Sequence, residues 1–155
     1  MKSTRNIILI LFSFISCINS STFSDIKSIP NAKWNVKNIL RIEYYSSDTL
    51  QIKDILLNLR HSSAYPYANI FFFITTLAPN GSSVKDTVQY FLVDNKNNWL
   101  GKGIGDIHNI QLLFKKNVRF GQVGRYIFYI QHGMRDEVLD GVSDVGIVIK
   151  NCTEQ

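Results

Sequence analysis

The chain has little of what braces a small domain or interrupts a strand. Of its 155 residues two are cysteine, Cys17 and Cys152, and three are proline. Two thiols form one bridge at most, so a disulfide-stapled scaffold is excluded and stability has to come from a hydrophobic core. No apolar run reaches the ~20 residues that a helix needs to cross a bilayer. No helical apolar stripe is sustained in the body, which argues against a helix bundle. Histidine is scarce too. His61, His108 and His132 lie far apart, none at a metal-type spacing from another ligand. A Gly-x-Ser-x-Gly elbow, a Walker loop and a dinucleotide fingerprint are all missing. The sequence therefore assigns no catalytic residue, no metal and no cofactor, and the expectation is a protein that is not an enzyme.

What is present begins at the N-terminus, MKSTRNIILILFSFISC. Lys2 and Arg5 form a basic leader, and Ile7 to Ile15 form an apolar core broken only by Ser13. This is a signal-peptide pattern over residues 1–16. The end of it, Phe14-Ile15-Ser16-Cys17, resembles the lipobox of bacterial lipoproteins, with Phe14 in place of the usual leucine. Ser16 is small enough to let a peptidase approach, and Cys17 supplies the thiol for a diacylglyceryl thioether. Cys17 is thus the expected lipidation site. Acyl chains of the palmitate type, at about 0.8 kcal/mol per buried methylene, would hold the chain on a membrane. Residues 17–28 are polar enough to serve as a lipidated tether, which leaves 29–155 as a single domain.

Removing residues 1–16 leaves 15 basic against 12 acidic side chains, a net +3. The cations are scattered, with Lys115-Lys116 the densest pair. Nucleic-acid binders concentrate such charge on one face, so nucleic acid is not expected as a partner.

Within the body, apolar residues alternate or form short β-branched and aromatic blocks. Strands are expected over Ile39 to Tyr45, Gln51 to Arg60, Asn69 to Leu77, Asp86 to Val93, Gln111 to Phe120, Gly124 to His132 and Val145 to Lys150. Pro79-Asn80-Gly81-Ser82 and Phe120-Gly121-Gln122-Val123-Gly124 read as turns. Gly124-Arg125-Tyr126 is similar to the opening of a tyrosine corner. The pattern predicts an all-β fold, an antiparallel two-sheet β-sandwich of immunoglobulin-like or jelly-roll topology. Ile70 to Ile74 and Tyr126 to Ile130 are apolar or amphipathic on both faces and should be central strands covered on each side. Gly101-Lys102-Gly103-Ile104-Gly105 reads as a conformationally special loop. Tyr65, Tyr67 and Trp99 are the candidate partner-binding residues, with capping of an open sandwich end as the alternative.

Taken in order, these motifs resemble the gliding-motility lipoprotein GldH family of the Bacteroidetes. The likeness runs from Cys17 through Ser28-Ile29-Pro30-Asn31-Ala32, Trp34, Asn58-Leu59-Arg60 and Tyr65-Pro66-Tyr67-Ala68-Asn69-Ile70-Phe71. It continues through Pro79-Asn80-Gly81, Asp86-Thr87-Val88-Gln89-Tyr90, Trp99-Leu100-Gly101 and Gly105-Asp106-Ile107. Gly124-Arg125-Tyr126, Gln131-His132-Gly133-Met134-Arg135 and Leu139 to Ile147 complete it. The loop before Trp99 lacks the family's expected glycine. The resemblance implies a non-catalytic envelope lipoprotein of the gliding machinery, linked to type IX secretion. Its implied partners are the membrane and other gliding or secretion envelope proteins. Ile18-Asn19-Ser20-Ser21 lacks the early acidic run that would resemble the surface-export signal of this phylum, so the resemblance implies a body on the outer membrane, facing the periplasm. The alternative reading is a lipid-anchored carbohydrate-binding sandwich that uses Tyr65, Tyr67 and Trp99.

Overall fold

Leu40, Ile42 and Tyr44 are buried and alternate with Arg41, Glu43 and Tyr45, a period of two that makes this stretch a strand with one face inward. The same logic recurs along the computed structural model of the chain, which describes residues 22–152. Among these residues are β1 (Phe23–Ser28), β2 (Lys33–Asn35), β3 (Leu40–Ser46), β4 (Ile52–Ser62) and β5 (Asn69–Leu77). They are followed by β6 (Ser83–Phe91), β7 (Ile107–Arg119), β8 (Gly124–His132), β9 (Val138–Asp140) and β10 (Val142–Asn151).

One sheet has the order β1-β10-β4-β7, the other β3-β8-β5-β6, and every neighbouring pair is antiparallel. With the short pair β2–β9 set aside, the eight long strands run 1-8-3-6 and 2-7-4-5, the jelly-roll order. The immunoglobulin-like alternative drops out. The ladders β1·β10, β2·β9 and β3·β8 form one antiparallel ribbon that bends from the first sheet into the second. Trp34, fully buried, sits at that bend and donates its indole N–H to Asn38 O at 2.8 Å. Between the sheets lie Leu57, Leu59, Ile70, Phe72, Ile74, Phe128, Ile130 and Ile147, each worth about 1.5–3 kcal/mol on burial.

The expected tether differs. Its second half is β1, paired with β10 from Phe23↔Ile149 to Ser28↔Asp144. Of its inward positions Phe23, Asp25 and Lys27, only the first is apolar, so backbone pairing makes this strand with little hydrophobic pattern. Cys17, the leader and the start of the tether lie outside the described residues. β5 and β8 are central in their sheet, as expected, but covered on one side only: Phe71, Phe73, Ile127 and Tyr129 remain half-exposed. The Tyr126 hydroxyl donates to Gln122 O at 3.2 Å and accepts from Gln122 N–H at 3.1 Å, a tyrosine-corner contact that pins the turn into β8.

The two ends of the sandwich differ in content. Phe23, Ile149, Lys53, Asn151 and Val118 lie at the end where β1 begins. Ser28, Asp144, Val142, His61 and His108 lie at the other. The β4–β5 and β6–β7 loops and the β2–β9 corner all gather at this second end.

Candidate functional site

The last turns of β4 and the first of β7 build the base of the far end. Their register sets His61 opposite His108. The two rings stack with centroids 5.3 Å apart, and the edge of Trp99 meets His61 at 4.7 Å. Tyr65 packs on His61 at 5.6 Å and on Trp99 at 6.4 Å, and Tyr67 meets Tyr65 edge-on at 6.0 Å. The three aromatics singled out on sequence therefore converge, and two histidines join them. Sequence distance concealed those histidines: they are neighbours only through the β4–β7 ladder. Their shared position, each at a strand end flanking an aromatic loop, is the signal that could have found them.

Exposure separates the members. Tyr65 is 2% exposed and its hydroxyl donates to Asn69 O at 2.9 Å, so it works from beneath. Tyr67 and Trp99 are partly open. Tyr67 donates to Asp136 Oδ2 at 2.6 Å, tying the β4–β5 loop to the segment after β8. Trp99 is held by a bridge to Val93, and Leu92 N–H donates to Ala68 O at 2.8 Å, which joins the two loops. Beside Tyr67 a cleft of about 490 Å³ is lined by Asn69, Phe71, Gly133, Met134 and Arg135.

The loop before Trp99 is a turn around Asp94. Its carboxylate accepts from the backbone of Lys96 and Asn98 and from the Asn98 amide, and the last of these does most to hold its pKa below the ordinary value. Asn97 takes φ +60° there, so asparagine fills the place of the missing glycine. After Trp99, Gly103 passes so close to β7 that a Cβ would lie 1.6 Å from Ile107 O. The special loop thus combines close backbone approach at Gly103 with positive φ at Gly101 and Gly105.

Burial lowers the pKa of His61, the Ser62 carbonyl raises it and His108 lowers it further. The bond to Asp136 does most to raise the Tyr67 pKa, and burial does the same for Tyr65. His108 Nε2 lies 3.0 Å from Ser63 Oγ, and its ring is oriented by stacking on His61 instead of by a carboxylate. Among the described residues no three His, Cys, Asp or Glu side chains are placed to hold a metal ion. Partly open rings beside a cleft with Arg135 on its rim suit contact with apolar and acidic groups.

Fold and site together define an all-β jelly-roll domain with a cluster of two histidines, two tyrosines and a tryptophan at the end opposite its N-terminal strand opening. The profile of the family described as GldH lipoprotein matches residues 21–149, and the chain belongs to that family. It is similar to a protein of Christiangramia forsetii named gliding motility lipoprotein GldH homolog, at 29% identity over 97% of this chain and 98% of the relative. It is also similar to gliding motility lipoprotein GldH of Flavobacterium johnsoniae, at 26% identity over 97% of each chain. Among solved structures, an infectious bursal disease virus protein matches 84% of this chain at 10% identity and a TM-score of 0.34. The chain spans about a third of that viral protein, 32%, and nothing about function is taken from it.

Proposed function

We propose that this chain is a lipid-anchored component of a bacterial gliding apparatus, linked to type IX secretion, and that it acts as a non-catalytic scaffold or assembly factor. The observation that carries the reading is similarity over 97% of the chain to proteins named for gliding motility. Cys17 is the anchor, its thiol converted to a diacylglyceryl thioether before the leader is cut away, and the domain hangs from the outer membrane into the periplasm. Tyr67 and Trp99, supported by Tyr65, form the contact for other envelope proteins of the machinery. Deleting the gene should abolish colony spreading, and a plasmid copy should restore it while a Cys17→Ala copy should not. Spreading that is unchanged in the deletion strain would overturn the proposal.

The cleft beside Tyr67 and the half-open Trp99 ring favour one alternative, a carbohydrate-binding module. A glycan array probed with the protein separates the two. Selective glycan binding that is lost in Trp99→Ala supports the module. No binding, together with co-purification of motility proteins, supports the scaffold.

A further inference from the structure

The end of the sandwich opposite the aromatic cluster has no place in that reading, yet it is the end from which the anchor must depart. From Cys17 to Phe23 the chain spans at most about 20 Å even when fully extended. The eight residue steps from Lys53 to His61 put the two ends roughly 25 Å apart along β4. Whatever membrane holds Cys17 is therefore within reach of the β1 opening.

That end carries the chemistry of a lipid surface. Leu50, 78% exposed, and Val123, 54% exposed, stand at the tips of the β3–β4 and β7–β8 loops. The leucine is not a loose tip. Its N–H donates to Asp48 Oδ1 at 2.7 Å, and the Asp48 carbonyl accepts from the buried Ser46 hydroxyl at 3.0 Å. The loop is braced, and it holds a large apolar side chain out into water.

The charges beside these tips are of both signs. Asp54 accepts from Asn117 N–H at 2.8 Å, Asp86 pairs with Lys115 at 2.8 Å, and Glu43 is shared between Arg41 and Arg125. Asp86 and Glu43 are thus ion-paired, whereas Asp48 and Asp54 are met by backbone N–H groups only. Lys116 and Arg119, both exposed, form no ion pair with any described residue. Two apolar tips with two exposed, unpaired cations on the neighbouring strand can meet a headgroup region, where phosphates lie beside acyl chains.

We infer that this end, carrying Leu50, Val123, Lys116 and Arg119, lies against the phospholipid surface, so that Tyr67 and Trp99 are directed away from it. The inference rests on the acylation of Cys17. A tethered domain needs only weak surface contacts to fix its orientation, because the anchor already supplies a high effective concentration.

The test uses the full acylated chain in vesicles of phosphatidylethanolamine and phosphatidylglycerol. With Cys152 replaced by serine, a polarity-sensitive fluorophore is placed at Leu50→Cys or, at the other end, at Ile104→Cys, where the native side chain is 94% exposed. Headgroup-depth quenchers should quench the Leu50 probe several-fold more than the Ile104 probe, and only the former should shift to the blue. The double change Lys116→Glu and Arg119→Glu, with folding checked by circular dichroism, should remove most of that contrast. Equal quenching of the two probes on vesicles that still float with the protein overturns the orientation alone. Loss of flotation, with an unacylated N-terminal peptide by mass spectrometry, overturns the anchor and this inference with it.

Discussion

Trp34 shows how much a single side chain contributes to the corner between the sheets. It is fully buried, its ring lies 5.2 Å from His132 and 6.1 Å from Phe72, and its N–H is satisfied by Asn38 O. Trp34→Ala should cost about 3–5 kcal/mol, the transfer and cavity terms together, read as a fall in the urea unfolding midpoint with unchanged slope. Tyr126→Phe is the milder counterpart. It keeps the ring against Phe120 and removes only the hydroxyl that serves Gln122, so a loss of about 1 kcal/mol is expected in the same assay. A loss near zero would mean that water replaces the hydroxyl at no cost. Both residues were visible in the sequence, Tyr126 by its corner motif and Trp34 only as one member of the family resemblance. Nothing local told that Trp34 would be the plug of a bend, since that depends on β9, a hundred residues away.

Elements with apolar blocks or a period of two were legible: β5 and β8 have the bounds that their apolar blocks predict, and β3 begins and ends one residue later than its alternation predicts. β1, β2 and β9 were not. The last two are three residues long, shorter than any window in which a period can be read, and β1 buries one apolar side chain. The sheet order was equally closed to the sequence, because antiparallel pairing alone does not separate one Greek-key arrangement from another. The loop that carries Trp99 was legible in part, by its glycines. Gly103→Ala tests why they are there. With Ile107 O in the way of a Cβ, the turn must open, which breaks the paired bonds Lys102 N–H to Asn109 O at 2.9 Å and Asn109 N–H to Lys102 O at 2.8 Å. Hydrogen exchange at those two amides should accelerate at least about tenfold, the signature of losing roughly 1.4 kcal/mol of local stability, while the β5 and β8 amides keep their protection. Uniform loss of protection would instead make the loop part of the global fold.

At the scale of the whole molecule, acid should undermine the end that carries the aromatic cluster. His61 and His132 are both fully buried there. Burial is the largest influence on each and pulls both pKa values below the ordinary histidine value, against weaker upward pulls from the Ser62 carbonyl and from the Trp34 backbone and Asp136. A base with a lowered folded pKa takes up its proton more readily unfolded. Its contribution is therefore complete above the unfolded value of about 6.5 and is lost as pH falls toward the folded value. In that window each histidine should reduce stability by about 1.4 kcal/mol per pH unit. His132 has no hydrogen-bond partner within good geometry for either ring nitrogen, so Phe can take its place against Trp34 without leaving a polar group orphaned. Urea midpoints measured from pH 8 to pH 5 should be flat above about 6.5 and fall below it. The fall should be clearly shallower in His132→Phe and shallower still when His61→Phe is added. A slope that is the same in all three proteins would place the acid sensitivity in the carboxylates, and the two histidines would then be ordinary members of the core.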